Sequence, residues 1–288
     1  MEKIRYINGN HSTNIRKKEV VTYITFPKLE QYEKDMIHGF STRLGGVSEG
    51  YLGSMNLSFT RGDDRERVLE NHRRFAKALG YDENRLVFSD QVHLTHFHKV
   101  TKEDCGKGIT RKSDIIEIDG LVTDEPDIPI ITFYADCVPL FFYDPVKRVI
   151  AMAHSGWRGT VERIGGKMIT YMETEYGSRS QDIICAIGPS ICQSCYEVSE
   201  DVALHFLEVF GDSYGDSLLY RKENGKYQLN LHKACEITLL DAGVKEEHLD
   251  VTDLCTCCNP ELLFSHRASN GQRGNLAGVM MLREKQSI

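Results

Sequence analysis

No stretch of this 288-residue chain approaches the roughly 18 consecutive apolar residues of a membrane-spanning helix. The opening MEKIRYINGN lacks a basic-then-apolar leader, so the expectation is a cytoplasmic protein with no membrane partner. Positive charge is also short. With 35 basic against 42 acidic residues the net charge is −7, which argues against a broad nucleic-acid surface and leaves small anions as possible ligands of local basic groups. Internal repeats, low-complexity tracts and Pro/Ser-rich linkers are missing, so one domain spanning residues 1–288 is expected. The nine cysteines are odd in number and follow no export signal, which reads as reduced thiols.

What is present is ordinary in bulk and unusual in detail. A hydrophobic fraction of 41% with 27% charged residues describes a globular chain able to bury a sizeable core. Residues 19–26 and 86–100 read as strand-bearing, with IDGLVT and IPIITFYADC following. Helical spacing marks 64–79, stopped by Gly80, and further helices are expected over 160–176, 199–210 and 231–242. Strands cluster with few helices between them, which predicts an α+β fold of mixed sheets sandwiched by helices.

Cys137 and His154 are the most informative pair. The apolar runs VPLFFY and RVIAMA flank Asp144-Pro145-Val146-Lys147, so the segment reads as a hairpin about a tight turn. A turn centred between Pro145 and Val146 puts Cys137 opposite His154, with Cβ atoms roughly 4.5–5.5 Å apart. That is the reach of a shared metal ion or of a nucleophile–base pair. A third ligand must come from elsewhere. His96 and His98 are expected on one face of a 92–100 strand and His93 on the other, and spacing alone does not choose among the three.

Other groups are suggestive. The segment His154-Ser155-Gly156-Trp157-Arg158-Gly159-Thr160 joins a strand to a helix, with Thr160 as the expected N-cap. A helix start after Gly159 suits phosphate, and Arg158 adds a bidentate donor set; a plain strand-to-helix turn is the alternative. Arg43, in a glycine-rich loop, is a second candidate cation. Asp136 is expected on the face opposite Cys137, as an orienting group, a general base or a turn carboxylate. Two Cys-x-x-Cys pairs, Cys192/Cys195 and Cys255/Cys258, are raw material for a zinc site. They lie much farther apart than the roughly 15–20 residues of a compact zinc ribbon, so only spatial convergence would make them one.

Taken in order, GFSTRLGGVSEG, QVH, DGLVT, ADCVPLFFYDP, HSGWRGT, IGPSICQSCYEV, CTCC and FSHRASNGQRG resemble the YlmD/YfiH-type proteins, also called multicopper polyphenol oxidoreductases or laccase-domain proteins. The resemblance covers residues 37–288. It implies a fold related to that of toxin deamidases and a zinc ion held by His93, Cys137 and His154. It further implies phosphorolysis of adenosine, inosine and methylthioadenosine with adenosine deamination as a side activity, by a monomer or homodimer. Three protein ligands leave an open position, the pattern of a catalytic zinc. The HxE signature of cytidine-type deaminases is absent, so the proton carrier is not identified. Leu94 replaces the usual glycine after QVH, and His266 replaces a tyrosine before Arg267. Two other chemistries are expected alternatives: a Cys137–His154 hydrolase or deamidase, and copper-dependent phenol oxidation. The second would need roughly ten histidine ligands in paired clusters, and this chain has 11 histidines with only one HxH.

Overall fold

The computed structural model describes residues 4–9 and 12–285. In chain order the elements are β1 (Asn14–Lys18), β2 (Val21–Thr25), α1 (Pro27–Glu30), β3 (Met36–Ser41), α2 (Arg65–Leu79), β4 (Val87–Phe88) and β5 (Phe97–Lys99). There follow β6 (Gly120–Thr123), β7 (Ile130–Tyr134), β8 (Val138–Asp144), β9 (Val149–Ser155), α3 (Trp157–Val161), α4 (Ile164–Tyr176) and β10 (Ile184–Ile187). The rest are β11 (Glu197–Val198), α5 (Glu200–Phe210), β12 (Leu219–Arg221), β13 (Tyr227–Leu229), α6 (Leu231–Asp241), β14 (Leu249–Val251) and β15 (Leu276–Leu282).

Two six-stranded sheets carry the α+β fold, in the orders β1-β2-β3-β15-β7-β4 and β14-β10-β8-β9-β6-β5, beside a small β11-β13-β12 sheet. Both large sheets are mixed, with parallel β4–β7, β5–β6 and β10–β14 pairs among antiparallel ones. Period-2 alternation assigns each strand face to a different core. In β8, Phe141 and Tyr143 point between the sheets with Ile150 and Met152 of β9 and Met280 of β15. Val138, Leu140 and Phe142 point the other way, onto Met168 and Met172 of α4 and Leu239 of α6. On the far side of the first sheet, Ala277, Val279 and Met281 of β15 meet Phe75 and Ala76 of α2. The layers therefore run helix, sheet, sheet, helices.

α2 forms as its sequence dictates. The Asp64 carboxylate accepts the N–H groups of Glu66 and Arg67, and Gly80 closes the helix in the left-handed conformation. Burying Phe75 alone contributes roughly 1.5–3 kcal/mol.

Four local expectations are corrected. The hairpin is displaced by two residues: His154 pairs with Pro139 and Ser155 with Val138. The cause is an Asx turn, in which Asp144 Oδ1 accepts the N–H groups of Val146 and Lys147 and widens the connection. A shift of two keeps side-chain parity, so Cys137 and His154 remain on one face as diagonal neighbours. The 160–176 helix is two helices, broken where Arg163 adopts φ +57°. Gly156, not Thr160, caps α3, and the Thr160 hydroxyl instead donates back to the Gly156 carbonyl. Finally, the 86–100 stretch forms only β4 and β5, and His93 lies in the loop between them.

Candidate metal centre

The centre assembles at one end of the core between the two sheets. His154, near the end of β9, is buried, and its Nδ1 lies 2.8 Å from Asp119 Oδ1. Asp119 is fully buried just before β6, and its carboxylate also accepts the N–H groups of Val92, His93 and Leu94 at 3.0, 3.0 and 2.8 Å. Those bonds hold the 91–95 loop against the sheet with His93 at φ +67°, a conformation histidine tolerates better than bulkier residues. Gln91 fixes the same loop from the other side, its amide exchanging hydrogen bonds with the Phe133 N–H and C=O. His93 Nε2 then stands 3.8 Å from Cys137 Sγ, and the ligand atoms of His93, Cys137 and His154 lie within 4.8 Å of one another. Gly156 makes the approach possible: a Cβ there would sit 2.5 Å from His93 Cδ2 and 3.3 Å from Cys137 Sγ.

The electrostatics favour a thiolate. Burial alone would push the Cys137 thiol up, but His154 and His93 outweigh it and the group is lowered to about 6. Burial would lower His154, yet Cys137 and the Asp119 carboxylate raise it to about 9. Burial works against the Asp119 carboxylate too, and His154 with the loop N–H groups holds it below the usual range. Two imidazoles and a thiolate, with a carboxylate fixing the Nδ1 proton of one imidazole, are a donor set that suits a borderline-soft divalent metal. The Nδ1–Asp119 bond leaves His154 Nε2 as the nitrogen available to a metal that displaces its proton.

His93, Cys137 and His154 line one side of a cavity of ≈ 350 Å³, within the range of small-molecule sites. Phe59, Phe88 and Phe133 supply an aromatic side. Arg61 and Arg273 supply a cationic one. Arg273 is buried, and burial lowers its guanidinium to about 10. Its Nε and the Ser89 Oγ, both at the cavity, have no hydrogen-bond partner among the described residues.

The other expected site residues lie elsewhere. Arg43 donates to the carbonyls of Gly53 and Pro260 and stacks on Phe264, outside the cavity wall. Arg158 is exposed and stacks on Trp157. Asp136 is buried at φ +90° and accepts from the Thr256 hydroxyl at 2.6 Å and the Arg267 N–H at 2.7 Å, so it braces the backbone rather than facing a substrate. Gly159 lies inside α3, whose first turn begins at Trp157, so the expected helix start directly after Gly159 is not there. His96 and His98 bond the Glu117 carbonyl and Asp104. Arg267, next to the His266 departure, reaches the Cys195 and Glu197 carbonyls and does not line the cavity. Asp119, Arg61, Arg273 and Gly156 were not singled out in the sequence. Only Asp119 carried a usable signal there, as the lone acid opening DGLVT.

Comparison with known proteins agrees with this architecture. The model of the family described as multi-copper polyphenol oxidoreductase laccase matches residues 37–283. The chain belongs to this family. Among similar family members, the purine nucleoside phosphorylase YlmD of Bacillus subtilis is 34% identical over 96% of this chain and 100% of its own length. YlmD of Geobacillus stearothermophilus is 36% identical over 86% of this chain and 91% of its own. The crystal structure of that YlmD superposes with a TM-score of 0.87 at 33% identity, covering 94% of this chain and 99% of the other. A Bacillus licheniformis YfiH protein superposes with 0.86 at 31% identity, over 93% and 99%. The family's laccase description names copper and phenol chemistry, whereas these YlmD relatives carry a phosphorylase name.

Proposed function

We propose that this protein is a cytoplasmic, zinc-dependent purine nucleoside phosphorylase acting on adenosine, inosine and methylthioadenosine, with adenosine deamination as a side activity. The observation that carries the reading is one cavity lined by the metal-ligand triad, two arginines and three phenylalanines. Relatives over most of this chain bear the phosphorylase name, which supports it. His93, Cys137 and His154 would hold the zinc, through two imidazole nitrogens and a thiolate. Zinc bound there supplies a Lewis acid on the open side of the triad.

The remaining work falls to the chain's own groups. Arg61 and Arg273 take the place in which Arg43 and Arg158 were expected: they hold the phosphate close to the sugar, where the oxocarbenium-like transition state needs an anion. The Arg273 Nε without a partner would gain one. Phe59, Phe88 and Phe133 receive the flat purine. In phosphorolysis the bond from the sugar to N9 breaks, a bond to phosphate oxygen forms, and the base must be protonated as it leaves. Asp90 lines the cavity and its carboxylate makes no hydrogen bond among the described residues, so it is the candidate to hold that proton at N7. The same carboxylate could carry a proton between water and the departing amine during deamination.

A second reading has an observation of its own. Cys137, His154 and Asp119 also stand as nucleophile, base and orienter, so a metal-free chain would be arranged as a hydrolase or deamidase. A multicopper oxidase is not favoured, because His38, His72 and His232 are buried in hydrogen bonds to Phe26, Leu57 and Ser190. The experiment is metal analysis of purified protein alongside inosine-plus-phosphate turnover. Cys137→Ala and His154→Ala should each lose the zinc bound at this triad and, together with it, hypoxanthine release. Undiminished release from a metal-free variant would sink the zinc phosphorylase, and amide hydrolysis by metal-free wild type would favour the second reading.

A further inference from the structure

The structure brings together the two Cys-x-x-Cys pairs that the sequence holds far apart. β10 and β14 are parallel neighbours at one edge of the second sheet, so the chain leaves both in the same direction. Beyond β10 lies the short turn Gln193–Cys195 between Cys192 and Cys195. Beyond β14, Cys255 bridges to Ser190, and the Thr256 N–H donates to the Ser190 carbonyl at 3.1 Å. The four sulfurs of Cys192, Cys195, Cys255 and Cys258 end within 4.8 Å of one another, none of them in a disulfide. Cys195 Sγ is 3.4 Å and Cys192 Sγ 4.0 Å from Cys258 Sγ. A tetrahedral tetrathiolate with metal–sulfur bonds of about 2.3 Å places its sulfurs about 3.8 Å apart.

Two features beyond proximity mark a built site. The backbone N–H groups of Cys192 and Cys258 both point at Cys255 Sγ, at 3.2 and 3.4 Å. A sulfur receiving two N–H donors is set up to carry negative charge. The Ser194 hydroxyl lies 3.2 Å from Cys192 Sγ. A cluster of four sulfurs suits a soft, tetrahedral ion rather than magnesium or calcium.

We propose that Cys192, Cys195, Cys255 and Cys258 form a second, structural zinc site. It is closed, with four protein ligands and no open position, and it is independent of the reaction run at His93, Cys137 and His154. Its task is to pin the loop after β10 to the loop after β14. Thr256, between two of the ligands, donates to Asp136, the residue before Cys137. Arg267, which donates its N–H to Asp136, also bonds the Cys195 carbonyl. The second zinc would therefore brace the backbone that presents Cys137 to the first.

The test is zinc stoichiometry of the full chain, purified without a metal-affinity tag, in wild type, His154→Ala and Cys195→Ser/Cys258→Ser. Wild type should hold two zinc ions and each variant one. Cobalt-substituted His154→Ala should show the strong absorption of a tetrathiolate ion, which the serine variant should lack. Native alkylation read by mass spectrometry needs no variant and covers the case in which the serine protein fails to fold. Cys192, Cys195, Cys255 and Cys258 should resist modification until chelator is added. A metal-free His154→Ala protein, or four cysteines that alkylate at once or are found oxidised in fresh wild type, would overturn the site. Neither result would touch the first centre, whose metal is read from the serine variant.

Discussion

Asp119→Asn is the substitution that most sharply tests how the first centre is held. Asp119 accepts four donors, two on each oxygen: His154 Nδ1 and the His93 N–H on Oδ1, the Val92 and Leu94 N–H groups on Oδ2. Asparagine keeps the shape but replaces one oxygen with an NH₂ group. If that group faces Val92 and Leu94, two buried backbone donors lose their acceptor, at roughly 1–3 kcal/mol each. If it faces His93 and His154, one backbone donor is lost and His154 can respond by moving its proton to Nε2. The second orientation is the less damaging to the fold, and it removes the lone pair that a metal requires. Outer partners of this kind are worth roughly 10–100-fold in metal affinity, or about 1.4–2.8 kcal/mol. The variant should therefore stay folded, bind zinc 10–100-fold more weakly in competition with a chromogenic chelator, and recover part of its turnover in excess zinc. Nitrogen-15 NMR of the imidazoles should show His154 protonated at Nε2 in place of Nδ1. Wild-type zinc affinity with an unchanged tautomer would refute the claim that Asp119 sets the ligand.

Three further outcomes are expected. Gly156→Ala meets no backbone strain, because φ there is −73°, but its methyl falls on the His93 ring; zinc binding should weaken while the melting temperature stays near wild type, and retained affinity would show that His93 is not held by this gap. Arg61→Ala or Arg273→Lys should raise the phosphate KM roughly 10–100-fold, the worth of a charge-assisted hydrogen bond, and leave the inosine KM within about twofold; an unchanged phosphate dependence removes the pair from the anion site. Acid should destabilise the fold through His38 and His72, both lowered by burial to about 4. Below the unfolded value of about 6.5 the unfolded chain takes up protons that the folded one refuses, so stability is full above 6.5 and falls toward pH 4, by roughly 3 kcal/mol per histidine. Asp250, pushed up to about 6 by burial, opposes this in the same window but is one group against three, since burial also lowers His232 to about 4. Chemical denaturation at successive pH values checks the slope, and a curve flat from pH 6.5 to 4.5 would contradict it.

The sequence displayed the parts of this molecule that depend on local rules. α2 was legible because both ends are written in side chains, Asp64 as cap and Gly80 as stop. The hairpin was legible as a hairpin, and its faces survived a register error because the Asx turn at Asp144 moved the pairing by an even number of residues. Long-range partners were not legible. Arg43 in a glycine-rich loop has the composition of an anion site, yet the Gly53 and Pro260 carbonyls that take up its guanidinium could be known only from the fold. The partners of Asp136 were hidden for the same reason, since Thr256 and Arg267 lie far along the chain. Arg61 and Arg273 carry no local signal at all: their meaning comes from facing one cavity.

The backbone around the first centre says how its candidate ligands are placed. His93 sits at φ +67° and Asp136, beside Cys137, at φ +90°, and each such conformation costs on the order of 1–3 kcal/mol. Neither residue is glycine, so each strained conformation has to be held by other contacts. Asp119 holds the first with three backbone hydrogen bonds, and Thr256 and Arg267 hold the second through the Asp136 carboxylate. Both sets of bonds join residues distant in sequence and rest on the packed sheets. The ligands are thus placed by folding and not by coordination, which is the arrangement a metal needs if it is to keep one position open for chemistry. The four cysteines are placed differently, on two loops joined by the Thr256 N–H on the Ser190 carbonyl and the Cys192 N–H on Cys255 Sγ. An ion there would do its work by closing the structure, and the bracing of Asp136 by Thr256 carries that closure to Cys137.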